Sequence, residues 1–203
     1  MRLINRQFNV IAAYELGIYD TMSTHTWARA AAYVVLFDAE GRVLLTQFEK
    51  QGHAKSGYWT LPGGGMEWGE QASDTALREL HEETGLIAEI GPLLGVQSEW
   101  FEDSDADGVT ARHALRQVFL AQNPSGDLKQ DFTDDDTTVA ASWFSQADLD
   151  QLDTVEVVEF GLSLAWAYRK QNPASVFPYS SIIAEENAAQ LGGVSRFFKW
   201  ALR

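Results

Sequence analysis

Apolar residues recur along this chain with two different periods, and the switches between them lay out its elements. Ala30 to Phe37 is a nearly continuous apolar strand, Asp38-Ala39-Glu40-Gly41 is a turn, and Arg42 to Phe48 reads as a second strand, so this segment predicts a hairpin. A polar loop, Gln51 to Gly57, leads to Tyr58-Trp59 and then to a glycine-rich loop at Gly63. The period then changes. Ala72, Ala76, Leu77 and Leu80 recur at helical spacing, and Gly85 is placed to close that helix in the left-handed conformation.

Beyond Gly85 the strand period returns. Ile87 to Phe101 is expected to break at Gly91-Pro92 and to resume as strand from Leu93 to Val96, followed by an acidic loop from Glu102 to Gly108. His113 to Ala121 and Val139 to Phe144 read as strands, separated by a turn at Asn123 to Gly126 and a second acidic loop that holds Asp134 to Asp136. Val157, Phe160, Leu164 and Tyr168 make a helical stripe that ends before Pro173, and Val194, Phe197, Phe198, Ala201 and Leu202 make another. At the other end Ile4, Phe8 and Ile11 would share a helical face, in a segment too short and too interrupted by charge to be a signal peptide or a span.

Composition narrows the class. With 203 residues, 45% of them apolar, one core with extensions is the default: residues 1-26 as an N-terminal extension, 27-152 as the domain, and 153-203 as a helical extension packing on the domain or on a second subunit. Twenty-nine acidic against fifteen basic residues give a net charge of -14, which disfavours nucleic acid polymers and anionic membranes as partners. A small phosphorylated substrate stays compatible, because a bound cation and a few Arg or Lys side chains reverse the field inside one pocket. The absence of cysteine removes thiol catalysis and thiolate metal sites, and nothing points to export, so a cytoplasmic protein is expected.

The helix after the glycines carries the chemistry. Glu79, Glu82 and Glu83 lie three and four residues apart and are expected on one side, away from the apolar stripe. Three like charges so close repel one another, and a hard divalent cation, Mg2+ or Mn2+, would make the arrangement favourable while keeping water ligands for a phosphate. Arg78 is placed to neutralise one carboxylate and to hold the loop against the helix by reaching Glu70.

Gly64, Glu70 after five intervening residues, and then Arg78-Glu79-Leu80-His81-Glu82-Glu83-Thr84-Gly85-Leu86 together form a complete Nudix box, and the chain resembles the Nudix hydrolases from about Arg29 to Leu152. Trp59-Thr60-Leu61-Pro62 before the glycines, and Ala141 to Phe144 followed by Ala147-Asp148-Leu149, look like further family segments. The resemblance implies an α/β fold, an α/β/α sandwich around a mixed sheet, with N- and C-terminal helical extensions. It also implies metal-dependent hydrolysis of a nucleoside diphosphate linked to another moiety. On that reading Gly63 through its carbonyl, Glu79, Glu82 and Glu83 hold the metal; Glu82, Glu79, Arg78 and Glu70 are the catalytic set; and Arg29, Gly64, Gly65 and Trp100 meet substrate. Glu82, Glu99 and Asp134 to Asp136 are the alternatives for the general base. Arg29, Lys50, Arg112 and Arg116 are the basic residues available to phosphate oxygens, and Tyr58, Trp68, Trp100 and Phe101 the rings that would either stack on a base or simply pack. His81 and His113 read as surface residues. A homodimer is expected by analogy. Two rivals are a Nudix-fold binding module, which would show damaged box carboxylates, and a prenyl diphosphate isomerase, which would need a cysteine.

Overall fold

The structure is a computed structural model that describes residues 25–49, 55–105, 108–133 and 137–172. The expectations for the N-terminal extension before His25, for Lys50, for Asp134 to Asp136 and for the Val194 to Leu202 stripe lie outside these residues. Strands β1 (His25–Leu36), β2 (Val43–Phe48), β3 (Trp59–Thr60) and β4 (Gly63–Gly65) precede helix α1 (Ala72–Thr84). Then come β5 (Ile87–Asp105), β6 (Gly108–Ser125), β7 (Thr138–Phe144), the single-turn α2 (Gln146–Leu149) and α3 (Glu156–Gln171).

Among the described residues these strands make a mixed four-stranded sheet in the order β4-β1-β6-β5 and an antiparallel three-stranded sheet in the order β3-β2-β7. β1 runs parallel to β6, and both of its faces are covered, which is why its sequence is apolar without alternation. Ala32, Val34 and Leu36 face α1, where Ala76 and Leu80 pack. Val35 belongs to the opposite cluster, with Val118 of β6 and Val157, Val158, Leu162 and Ala165 of α3. Helices on both faces of the mixed sheet make the α/β/α sandwich. No helix among the described residues is long and apolar enough to cross a membrane.

Five expectations are corrected. β1 and β2 are not a hairpin: the turn at Asp38–Gly41 forms, but a single bridge joins Phe37 to Val43, because β4 and β6 occupy the edges of β1 and β2 turns into the second sheet. The glycines at 63–65 are a strand rather than a loop, laid antiparallel on β1 with Gly64 opposite Ala32. Gly91-Pro92 does not interrupt β5; the ladder absorbs the missing N–H as register shifts between Ile90 and Gly95, and the expected acidic loop is largely the continuation of β5 and β6 toward their tip. On α3 the buried face is Val157, Val158, Gly161, Leu162 and Ala165, with Phe160 and Tyr168 at its rim. The small residues Gly161 and Ala165 bring the helix close to the sheet, a packing that a count of large apolar residues does not register.

Candidate active site

α1 starts after a knot built by Glu70. Its carboxylate accepts from the Glu67 N–H at 2.9 Å and from the Thr75 hydroxyl at 2.7 Å, and receives the Arg78 fork at 2.7 and 3.1 Å. These donors hold the Glu70 carboxyl at about 2, with the Arg78 bond the largest cause. Arg78 is pushed upward in turn, mainly by Glu70. The same guanidinium donates to Glu79 and to Glu82, each at 3.0 Å, and to the Gly65 carbonyl at 3.3 Å, so one side chain ties the knot, the helix and β4 together. At the far end Gly85 has φ 74° and its N–H bonds the His81 carbonyl at 2.8 Å, while Lys129 covers the Thr84 and Glu82 carbonyls.

The three metal-type glutamates stay within reach of one another's charge, as their spacing predicts, but they do not share one environment. Glu82 points outward, with 56% of its side chain exposed, whereas the Glu79 side chain is 17% exposed. Glu79 lies against β4 so closely that a Cβ on Gly64 would fall 2.6 Å from its carboxyl carbon, so a side chain there would displace the Glu79 carboxylate. Glu83 turns inward. Its carboxylate accepts from the Gly63 N–H at 3.0 Å, the Thr46 hydroxyl at 3.2 Å and the Thr138 hydroxyl at 3.2 Å. Burial nonetheless pushes it up to about 8, and the Glu79 charge adds to the rise. Glu79 is also raised, by burial first, against the pull of Arg78.

Among the described residues no three acidic or histidine side chains converge into a ready cation cage. The donor set still suits a hard divalent ion: Glu79 and Glu83, both desolvated and repelling each other, meet the Gly63–Gly64 backbone, and Glu82 hangs at the rim on the same arginine.

Arg29 joins this group, its guanidinium lying over Gly65 and its charge reaching Glu79. Trp100 does not. It alternates to the face of β5 opposite Glu99, where it stands 56% exposed and edge-on to His113. Glu99 is likewise removed from the base candidates, since it sits on β5, three strands or about 14 Å of sheet from β4, and is held by an ion pair to Arg116. Trp68 is fully exposed and His81 lies on the surface. Thr46 and Thr138, the partners of Glu83, were not singled out from the sequence; a hydroxyl within the apolar strand VLLTQF, and another at the head of TVAASWF, are the signals that a buried polar group faces them.

The NUDIX domain profile matches residues 27–161. The chain is 34% identical over 100 residues to the ADP-ribose pyrophosphatase of Methanocaldococcus jannaschii, covering 49% of this chain and 54% of that protein. It is 33% identical over 139 residues to an 8-oxo-dGDP phosphatase of Mus musculus, covering 64% of this chain and 38% of that one. The chain therefore spans about half or less of the length of these curated relatives. Among solved structures, the MutT protein of Methanosarcina mazei Go1 superposes with a TM-score of 0.55 at 21% identity, over 73% of this chain and 99% of that one, a likeness of fold.

Proposed function

Since the chain belongs to the NUDIX family, we propose that it is a divalent-metal-dependent pyrophosphohydrolase that cleaves a nucleoside diphosphate linked to another moiety. The observation that carries this reading is the convergence of Glu79 and Glu83, both raised by burial, on the Gly63–Gly64 backbone. Glu79, Glu82, Glu83 and the Gly63 carbonyl would hold Mg2+ or Mn2+. Bound there, the ion offsets charge on the diphosphate and acidifies water.

The chain's own side chains supply the rest. Arg78 keeps Glu79 and Glu82 in fixed relation, and Glu70 keeps Arg78 in place. Arg29, over Gly65, binds an oxygen of the diphosphate. Glu82, the most open of the three, takes the proton of the water that attacks phosphorus, and the anhydride P–O bond breaks as the second phosphate leaves. The names of two relatives, an ADP-ribose pyrophosphatase and an 8-oxo-dGDP phosphatase, both denote nucleotides with a diphosphate, which supports this substrate class.

The test is a panel of ADP-ribose, dinucleoside polyphosphates, nucleoside triphosphates and sugar nucleotides with Mg2+ or Mn2+, read by phosphate release after a coupling phosphatase. Turnover of at least one member, abolished by chelator, is expected. No turnover, with no rise in melting temperature on adding metal, would replace this reading with a binding module.

A further inference from the structure

The α3 face of the four-stranded sheet carries a second polar cluster that the box does not use. In register across β1, β6 and β5, Arg29 lies beside Ala114 and Glu99, and Ala31 lies beside Arg116 and Gln97. Partners in a rung point to the same face, so Arg29, Arg116, Glu99 and Gln97 surround a floor of two small residues, Ala31 and Ala114, both buried. Arg116 is ion-paired with Glu99 and donates to the Gln97 amide oxygen at 3.1 Å. Their side chains are only 13% and 25% exposed, and removing two charges from water in this way is unfavourable compared with apolar residues. The fold has apolar residues available, since one step along β5 the α3 side chains Phe160 and Leu164 pack on the backbone at Gly95.

The shelf begins at the box. Arg29 lies over Gly65 at one end, its charge felt at Glu79, and Glu99 and Gln97 lie at the other, across three interstrand spacings or about 14 Å. That is the span of an extended nucleoside diphosphate. A nucleotide with its diphosphate at β4 and Arg29 would carry its ribose over Ala31 and Ala114 and its base to Arg116, Glu99 and Gln97.

We propose that Arg116, Glu99 and Gln97 read the base of the nucleotide whose diphosphate the box cleaves, and that they select guanine; the assignment rests on the hydrolase reading for its substrate class. Guanine presents a carbonyl acceptor, O6, beside two adjacent N–H donors, N1–H and the 2-amino group. A carboxylate accepts two parallel N–H bonds, and a guanidinium donates to O6 and N7. Glu99 and Arg116 therefore match this edge as a pair, with the Gln97 amide as a further donor. Adenine turns the lone pair of N1 toward the carboxylate, cytosine does the same with N3, and uracil offers one N–H between two carbonyls, so each loses bonds or gains repulsion.

Titration calorimetry of the full chain with GMP, AMP, CMP and UMP tests this without hydrolysis, because none has an anhydride. GMP is expected to bind at least about tenfold more tightly than AMP, the discrimination of one good bidentate contact. Glu99→Gln, which replaces one acceptor by a donor, is expected to reduce that preference to about twofold or less, through a lower GMP affinity and a higher AMP affinity, because the amide N–H meets the N1 lone pair that the carboxylate repels. Equal affinities for the four nucleotides, no binding of any, or a preference that survives Glu99→Gln would overturn the assignment. Were Glu99→Gln to fail to fold, the wild-type comparison alone decides. A GMP preference without turnover across the substrate panel would remove the hydrolase reading and leave this one standing. Turnover with equal nucleotide affinities would do the reverse.

Discussion

Glu70 and Glu83 belong to one motif, thirteen residues apart, and the fold treats them as opposites. Glu70 sits at the open start of α1 with a guanidinium, a hydroxyl and a backbone N–H as donors, and its carboxyl is held at about 2, well inside the charged form at neutral pH. Glu83 sits at the inner end of the same helix and also has three donors, yet all are neutral, and burial raises it to about 8. The number of hydrogen bonds is similar. What separates the two is a guanidinium against an amide and two threonines, because neutral donors do not replace the water that a buried charge has lost. One carboxylate is thus finished by the protein itself and serves to hold Arg78. The other is left short of positive charge, which is the condition under which a divalent cation binds.

The largest effect that this contrast predicts is on turnover. Glu83→Gln keeps the shape and an oxygen for the Gly63 N–H but removes the anion, so it should lower metal-dependent turnover by at least about a hundredfold with the fold intact. Glu79→Gln should behave alike, as the partner in the repelling pair. Near wild-type rates in either variant would take that residue out of the metal set and erase the functional half of the comparison.

Stability against pH sharpens the same contrast in the metal-free protein. The Glu83 carboxyl is raised in the folded state from an ordinary 4.5 to about 8, so its contribution to stability is complete below about pH 4.5 and is lost as the pH rises through 8. Glu70 is lowered from 4.5 to about 2, so its contribution is present above about pH 4.5 and is lost as the pH falls through 2. In chelator, the melting temperature of the wild type should therefore fall between pH 5 and 8 relative to Glu83→Gln, and Mg2+ should reduce the fall by binding the charged form. Parallel melting curves for the two proteins across that range would show that Glu83 ionises as freely as a surface carboxylate.

Much of this was legible in the chain, and the remainder divides along a physical line. The span of α1 and its stop at Gly85, the Arg78 links to Glu70 and Glu82, and the central β1 are all written in local spacing, which a sequence states directly. Partner choice between strands is not local. Nothing between Ala30 and Phe48 says that β1 prefers the distant β4 and β6 to the adjacent β2, since a turn and two apolar runs fit either arrangement. The face of a side chain follows from register, so Trp100 and Glu99, neighbours in sequence, part to opposite sides of β5, and the arginine that meets Glu99 comes from β6. The environment of Glu83 depends on Thr46 and Thr138, which are 37 and 55 residues away, and only the folded chain brings them together.

The smallest effect belongs to the surface end of the comparison. Glu70→Gln removes the charge that Arg78 faces but leaves an amide oxygen for one of its nitrogens, and leaves Arg78 its bonds to Glu79 and Glu82 at 3.0 Å. Exposed ion pairs contribute little because water screens them and the freed charge is readily solvated. The variant should thus keep the wild-type melting temperature at pH 7 to within about three degrees, and lose turnover by about tenfold or less, since the knot positions Arg78 without touching the reacting atoms. Acidification should remove what difference remains. With no carboxyl to protonate at position 70, the added loss of stability between about pH 4.5 and 2 disappears, and the wild-type and variant curves should converge as the pH falls. A Glu70→Gln protein as inactive as Glu83→Gln would place Glu70 among the groups that meet metal or substrate, and the division of one motif into a holding end and a binding end would fail.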